Sequence, residues 1–153
     1  MPVVISSHLR SKRGVFTNIR DVKRYEGDRH YVEGAVEITI DGYELMTERH
    51  WDDVDMLWAL LVQAAEACRV TGAGETYFPD QPLLFRVERL PTGRLLIALG
   101  TGDERRATTA DADEFYRALA AAGVEFFHWH RRLVKGSDGY PREDALMRTW
   151  LRR

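Results

Sequence analysis

The sequence predicts an α+β domain in which an antiparallel sheet of about five strands is covered on one face by helices. Three observations predict this class. Segments 32–48 and 83–99 alternate apolar and polar residues on both sides of a short turn, as β-hairpins do. Segments 54–68 and 112–133 repeat apolar residues at helical spacing. Hairpins rather than strand–helix–strand crossovers indicate antiparallel pairing, and the predicted element order is β-β-β-α-β-β-α-α.

The first hairpin is predicted from the alternation of Val36, Ile38 and Ile40, followed by Asp41-Gly42, a pair suited to a type I′ turn. This turn predicts that Ile40 faces Tyr43, Thr39 faces Glu44, Ile38 faces Leu45, Glu37 faces Met46 and Val36 faces Thr47. One face of the hairpin is then apolar and the other acidic. Upstream, residues 15–25 can supply a third strand.

A helix is predicted to follow, with Asp52 as its N-cap and Trp51 packed on Met56 as a hydrophobic staple. Its apolar stripe is formed by Val54, Leu57, Trp58, Leu61, Ala65 and Cys68. Gly72 and Gly74 should end the helix and begin a loop over residues 70–82. A loop of that length is often functional, and we expect it to expose Tyr77 and Phe78 for contact.

The second half of the chain is predicted as a hairpin, a polar loop and two helices. Strands around Phe85 and Ile97 are joined by a turn at Pro91-Thr92-Gly93, and residues 101–109 are expected to form the loop. Asp111 and Glu114 resemble a capping box for a long helix over residues 111–135, which Gly123 could divide in two. A short final helix should carry Leu146, Met147, Trp150 and Leu151.

Length and composition limit the class of protein. The chain has 153 residues, of which 44% are hydrophobic and 30% are charged. We therefore expect one domain over residues 1–153, with residues 1–13 as a basic arm whose order the sequence leaves open. No stretch has the length and apolar character of a membrane span, and the start does not resemble a secretory signal, so we expect a cytoplasmic protein without membrane contact. Cys68, the single cysteine, cannot form an intrachain disulfide.

The net charge of −2 conceals a segregation along the chain. Residues 1–30 carry seven basic and three acidic side chains, residues 31–60 carry one and eight, and residues 131–153 carry seven and three. The basic ends could fold over the acidic middle and neutralise it. Alternatively, the acidic middle could form a surface that attracts a basic partner.

No catalytic, metal or cofactor motif is found. His128 and His130 lie two residues apart, so on a helix they point in nearly opposite directions, and His130 falls on the apolar side. His50 precedes three aspartates, which could raise its pKa, but those aspartates are explained by the start of a helix. Cys68 lies on a buried stripe far from a helix N-terminus, where catalytic thiols are favoured.

Nucleic-acid binding through the basic termini is a further alternative. Phosphates could be neutralised by Arg10, Lys12, Arg13, Arg131, Arg132, Lys135, Arg152 and Arg153, and Tyr25, Tyr31 or Trp129 could stack on bases. A sequence pI near 6.2 is against a dedicated nucleic-acid binder.

The order of elements resembles that of a known family. An antiparallel meander is followed by an acidic-capped helix (His50-Trp51-Asp52-Asp53-Val54-Asp55-Met56-Leu57-Trp58), then by an apolar hairpin with a Pro-x-Gly turn and a long helix. Over roughly residues 15–133 this is similar to the WapI-like immunity proteins of bacterial contact-dependent toxin systems. The resemblance implies a non-enzymatic cytoplasmic protein, without a cofactor, that binds and blocks a toxin domain, often a basic nuclease.

The leading hypothesis is therefore a protein-binding module that masks a basic partner. Its predicted contact residues are Glu37, Glu44, Glu48, Asp52, Asp53, Asp55, Tyr77 and Phe78. The alternative is a small ligand-binding protein or enzyme, with a pocket between the long helix and the sheet near Trp58, Phe127 and Trp129.

Overall fold

A computed structural model describes residues 2–101 and 103–152 and confirms the α+β class with antiparallel strands. The described strands form two sheets, where the sequence pattern predicted one. The first sheet has the order β2-β1-β3-β4, with β5 also paired to β3, and the second has the order β6-β7-β8-β9. The strands are β1 (Val3–Arg10), β2 (Phe16–Asn18), β3 (Glu33–Ile40), β4 (Tyr43–Met46), β5 (Asp52–Asp53), β6 (Ala73–Tyr77), β7 (Leu84–Arg89), β8 (Leu95–Gly100) and β9 (Arg105–Ala110).

The N-terminal arm is a strand. Residues Val3–Arg10, which lie within the arm expected over residues 1–13, form β1 between β2 and β3. Ser7 and Leu9 are buried on one face, and Ser7 Oγ accepts a 2.9 Å hydrogen bond from Trp58 Nε1. The buried serine breaks the apolar alternation from which a strand is predicted. The third strand expected over residues 15–25 is reduced to β2, and a 3₁₀ turn over Ile19–Asp21 follows it.

The first hairpin confirms the predicted turn and two of the five predicted cross-strand pairs. Asp41 and Gly42 both have positive φ, 52° and 82°, as a type I′ turn requires. Ile40 faces Tyr43 and Thr39 faces Glu44, but Ile38 faces Met46 rather than Leu45. A β-bulge between these pairs shifts the register, so the predicted Glu37–Met46 and Val36–Thr47 pairs are wrong. The bulge leaves both Leu45 and Met46 buried.

The second sheet contains the predicted hairpin of β7 and β8 and two strands that were expected to be loops. Gly93 in its turn has a φ of 86°. The loop expected over residues 70–82 contains β6, and the loop expected over residues 101–109 contains most of β9. β6 and β9 are polar strands at the two edges of this sheet, so they lack the apolar alternation of central strands.

Three helices pack against the sheets: α1 (Val54–Thr71), α2 (Ala112–Leu133) and α3 (Pro141–Leu151). α1 contacts β6 and β7, α2 contacts β1, and α3 packs on α2. The predicted stripe of α1 is buried, and Gly72 ends the helix with a φ of 99°. α2 is one continuous helix, and the Asp111 half of its predicted capping box is confirmed because Asp111 accepts a hydrogen bond from the Glu114 amide. In α3, Met147 and Trp150 are buried, while Leu151 is 42% exposed.

The core is one cluster of buried side chains contributed by both sheets and by all three helices. Trp58 is fully buried and stacks on Phe126, with ring centroids 6.1 Å apart. Gly123 allows α2 to approach its neighbours, because a Cβ there would lie 2.3 Å from Met147 Sδ and 3.0 Å from the Trp58 ring. Across residues 2–101 and 103–152, none of the helices combines the length and apolar character that a membrane span requires.

Candidate functional site

Asp52 anchors a surface loop and does not cap α1. It is 1% exposed, and its carboxylate accepts hydrogen bonds from the backbone amides of Asp53 at 2.7 Å, Asp80 at 3.1 Å and Gln81 at 2.9 Å. The N-cap position is taken by Asp53 instead. The predicted cap was wrong because the long-range amides of residues 80 and 81 take the oxygens that a local cap would use.

The loop held by Asp52, residues 78–82, is called the anchored loop below. Gln81 Nε2 donates to the Trp51 carbonyl, and the Tyr31 hydroxyl donates to Asp80 Oδ2. Phe78 is 4% exposed and lies inside the core, whereas Tyr77 is 66% exposed and Asp80 is exposed. The expected exposure of Phe78 is therefore wrong. The loop is fixed at its buried end, and Asp80 within it and Tyr77, the last residue of β6 before it, are exposed to solvent.

The predicted hydrophobic staple of α1 is replaced by a different contact. Met56 is 41% exposed, and the Arg10 guanidinium lies 4.3 Å above the centroid of the Trp51 ring. Arg10 also donates to Glu33 at 2.6 Å. A cation over the face of an aromatic ring is attracted to it. Trp51 therefore packs against Arg10 of the N-terminal strand β1 instead of forming the predicted staple with α1.

Asp53 and Asp55 form an acidic pair at the start of α1. Burial, followed by interaction with the Asp55 carboxylate, raises the pKa of Asp53 to about 7. The Tyr140 hydroxyl donates to Asp55 Oδ2 at 2.8 Å, and both burial and this bond raise the pKa of Tyr140. Because two adjacent carboxylates repel each other when both are ionised, this pair can hold a proton near neutral pH.

A cavity of about 710 Å³ lies beside Asp55, at the C-terminal end of α2. His130 lines it, is 4% exposed, and lies with Nε2 3.6 Å from Asp55 Oδ2. Ser137 Oγ lies 2.6 Å from His130 Nδ1. Burial lowers the pKa of His130, so the imidazole is neutral at neutral pH.

The start of α1 joins two loops, the anchored loop through Asp52 and the 137–140 loop through the hydrogen bond between Asp55 and Tyr140.

The predicted contact residues are only partly brought together. Asp52, Asp53 and Asp55 cluster at the start of α1, but Asp52 is buried and the other two are half-buried. Glu37 lies on β3 and pairs with His8 at 2.5 Å. The remaining residues, Glu44, Glu48 and Tyr77, are exposed. The Arg10–Glu33 pair shows that the basic N-terminal segment neutralises part of the acidic middle.

Comparison with protein-family models, curated proteins and solved structures finds no match for this chain. The arrangement of side chains therefore carries the functional argument.

Of the three residues near which a pocket was expected between the long helix and the sheet, Trp58 and Phe127 are completely buried in the core and Trp129 is partly buried against it. A second cavity, of about 890 Å³, lies beside β1 and β2 and is lined by Lys12, Arg13, Lys23 and Tyr25 among others. Its lining includes some of the basic and aromatic side chains that were predicted to neutralise phosphates and stack on bases. Its five basic side chains are offset by four acidic ones, which weakens the case for phosphate binding: Arg10, Lys12, Arg13, Lys23 and Arg24 against Asp21, Glu26, Asp28 and Glu33.

The other histidines and the cysteine have structural environments. The aspartates that follow His50 do not raise its pKa: burial, and then the Arg106 charge, lower it. His50 Nδ1 accepts a 3.0 Å hydrogen bond from the Thr47 amide. His128 is exposed and His130 is buried, as the helical spacing predicts, and Cys68 is buried. Within the described part of the chain, no three His, Cys, Asp or Glu side chains are grouped to hold a metal ion.

Sequence reasoning missed Asp80, Ser137 and Tyr140. Asp80 lies in a segment that was singled out only for its aromatic residues. Ser137 and Tyr140 belong to the turn cluster Gly136-Ser137-Asp138-Gly139-Tyr140-Pro141. The signal was present in that cluster, since a turn rich in glycine and polar residues beside a buried histidine supplies hydrogen-bond partners.

Proposed function

We propose that this protein is a protein-binding module of the immunity type, which masks a basic partner through acidic and aromatic groups near the start of α1. The observation that carries the proposal is the anchored loop: the buried Asp52 carboxylate fixes it, Asp80 within it is exposed, and Tyr77, which directly precedes it at the end of β6, is exposed as well. Binding residues are commonly carried by loops held on a rigid scaffold.

The anchored loop is suited to partner binding because the conformational entropy of ordering it is already lost when the protein folds. Hydrogen bonds from backbone amides to a charged carboxylate are among the stronger ones in proteins. A loop already held in one conformation loses less entropy when a partner binds. Tyrosine is enriched in binding hot spots, and Tyr77 is 66% exposed.

The proposed surface is narrower than the set predicted from sequence. Asp52 and Phe78 support it from inside, since both are buried. Gln81 binds the Trp51 carbonyl and so joins the loop to the segment that follows Glu48. The surface therefore consists of Glu48, Tyr77 and Asp80, all of them exposed, whereas Glu44 pairs with Thr39 at the other end of β3 from Asp52 and lies outside it.

The partner's identity rests on the resemblance to WapI-like immunity proteins. That resemblance implies a bacterial, cytoplasmic protein and a toxin domain as partner, often a basic nuclease. An acidic surface with exposed tyrosine fits such a partner, because charge complementarity accelerates association and favours the correct pairing.

The test uses a toxin domain encoded beside this chain, with binding measured at low and high salt. Affinity should fall with salt, and the variants Glu48→Lys, Asp80→Lys and Tyr77→Ala should each weaken binding by roughly tenfold or more. Glu26→Lys, at an exposed position paired with Arg24, is the matched control and should bind as the parent does. Binding that is unchanged when Glu48 and Asp80 are both replaced by Lys would remove this surface from the proposal.

A further inference from the structure

Ser137, His130 and Asp55 form a chain of side chains at the cavity beside the end of α2. Ser137 Oγ lies 2.6 Å from His130 Nδ1, and His130 Nε2 lies 3.6 Å from Asp55 Oδ2. The imidazole thus stands between a hydroxyl and a carboxylate. Its Nε2 is buried and has no hydrogen-bond partner among the residues that the structure describes. The order of hydroxyl, imidazole and carboxylate is that of a serine triad, but the distance from imidazole to carboxylate is longer than a hydrogen bond and has to shorten when a substrate binds.

The protonation state of His130 suits a general base rather than a general acid. Burial lowers the pKa of His130, which leaves the imidazole neutral at neutral pH. The Gly139 amide donates to Ser137 Oγ at 3.1 Å, which orients the hydroxyl. With the imidazole proton on Nε2, facing Asp55, Nδ1 is free to accept the Ser137 proton. Asp55 would then stabilise the imidazolium that forms.

The loop that carries Ser137 has an unusual backbone next to a helix start. Gly136, Gly139 and Tyr140 all have positive φ, of 82°, 70° and 51°. For Tyr140 this is a strained conformation, and strained residues cluster at functional sites. α3 begins at Pro141, so the amides of Arg142 and Glu143 are first-turn donors without an intrahelical acceptor. Such amides can stabilise a developing oxyanion.

We propose that Ser137 is a nucleophile that accepts an acyl group from a small ester bound in this cavity. The inference goes beyond the binding role and does not depend on it. Ser137 Oγ attacks the ester carbonyl carbon while its proton passes to His130 Nδ1. The ester C–O bond then breaks, and the leaving alkoxide takes that proton and departs as an alcohol. Water attacks the acyl-serine in the same way, which releases the carboxylic acid and restores the Ser137 hydroxyl.

The charge of the lining indicates the class of ester. The cationic side chains that line the cavity, Arg29, Lys135 and Arg142, are matched in number by the carboxylates of Asp55, Asp138 and Glu143. A lining with no net charge favours an ester that is itself neutral. A cavity of about 710 Å³ lies within the range of small-molecule sites.

The test measures acylation of the full chain by p-nitrophenyl acetate and phosphonylation by a fluorophosphonate probe, with the modified residue located by peptide mass. We expect a nitrophenol burst, an adduct on Ser137, and a rate that levels off by about pH 7, as a neutral histidine base requires. Asp55→Asn should slow the reaction by roughly 100-fold or more. Ser11→Ala, at an exposed serine, is the control and should react as the parent does.

Each other outcome overturns the proposal. Those outcomes are the absence of a Ser137 adduct in protein that is folded by circular dichroism, a Ser137 rate equal to that of Ser11, and a rate that rises tenfold per pH unit up to pH 9. If Ser137→Ala does not fold, Ser137→Cys supplies a second readout. Its thiol should react with iodoacetamide faster than a free cysteine at pH 6, and a rate no faster than free cysteine would contradict activation by His130.

Discussion

The Tyr140 hydroxyl donates a 2.8 Å hydrogen bond to Asp55 Oδ2, and this bond joins residues 85 positions apart in sequence. It ties the loop before α3 to the first turn of α1. Asp52, three residues before Asp55, holds the anchored loop in the same way. The start of α1 therefore organises two distant loops through adjacent carboxylates.

Tyr140→Phe should destabilise the protein by about 1.5–3 kcal/mol, because it removes a hydrogen bond to a charged, partly buried acceptor. Urea unfolding at pH 7.5 measures the change. Tyr77→Phe, at a 66% exposed tyrosine, is the matched control and should change stability by less than about 0.5 kcal/mol. Equal effects of the two substitutions would show that the Tyr140–Asp55 bond does not stabilise the fold.

Asp52→Ala should cost about 3 kcal/mol or more, because it removes the buried carboxylate that accepts hydrogen bonds from the amides of Asp53, Asp80 and Gln81. Asp52→Asn keeps one acceptor oxygen and should cost less. Hydrogen exchange gives the local readout, with faster exchange at the amides of Asp80 and Gln81 in both variants. Asp103→Ala, at an exposed aspartate in another loop, is the control. Unchanged exchange at residues 80 and 81 would contradict the anchoring role of Asp52.

The sequence predicted the elements whose apolar pattern is strong and missed those that depend on distant partners. The stripe of α1 and the central hairpin β7–β8 have clear periodicity and were predicted correctly. β6 and β9 are polar edge strands, and β1 buries a serine against Trp58, so alternation does not reveal them. Local rules likewise assigned Asp52 to a helix cap, because nothing in the sequence shows that Asp80 and Gln81 fold back onto it.

At Gly123, the packing of α2 against α1 and α3 predicts that a change to alanine destabilises the protein. Helix propensity alone predicts the opposite. In an isolated helix, Gly→Ala stabilises by about 0.5–1 kcal/mol. Here a Cβ would lie 2.3 Å from Met147 Sδ, so we expect Gly123→Ala to destabilise by about 1–3 kcal/mol. Met147→Ala removes the side chain that the new Cβ would meet. The variant that carries both substitutions therefore tests the contact between positions 123 and 147 in a double-mutant cycle. The two substitutions should be coupled, with the double variant more stable than the sum of the singles predicts. Additive effects would exclude the Gly123–Met147 contact as the cause.

The acidic pair at the start of α1 predicts the sign of a pH dependence. The pKa of Asp53 is raised to about 7 in the fold, above the value near 4 of an unfolded aspartate. Between these values the folded state binds the extra proton, so the contribution of Asp53 to stability is present at low pH and is lost as pH rises towards 7. The lowered pKa of His130 acts in the opposite sense below about pH 6.5, because the unfolded state then binds the extra proton.

Asp53→Asn isolates the first effect, since it removes the carboxyl and leaves His130 in place. We expect the free energy of unfolding of the variant to exceed that of the parent at pH 8 by more than at pH 5. The measurement is urea unfolding of both proteins across pH 5–8. Asp113→Asn, at an exposed aspartate in the first turn of α2, should give a difference that does not change with pH over this range. A constant difference for Asp53→Asn as well would mean that Asp53 is ionised throughout and that the pair shares no proton.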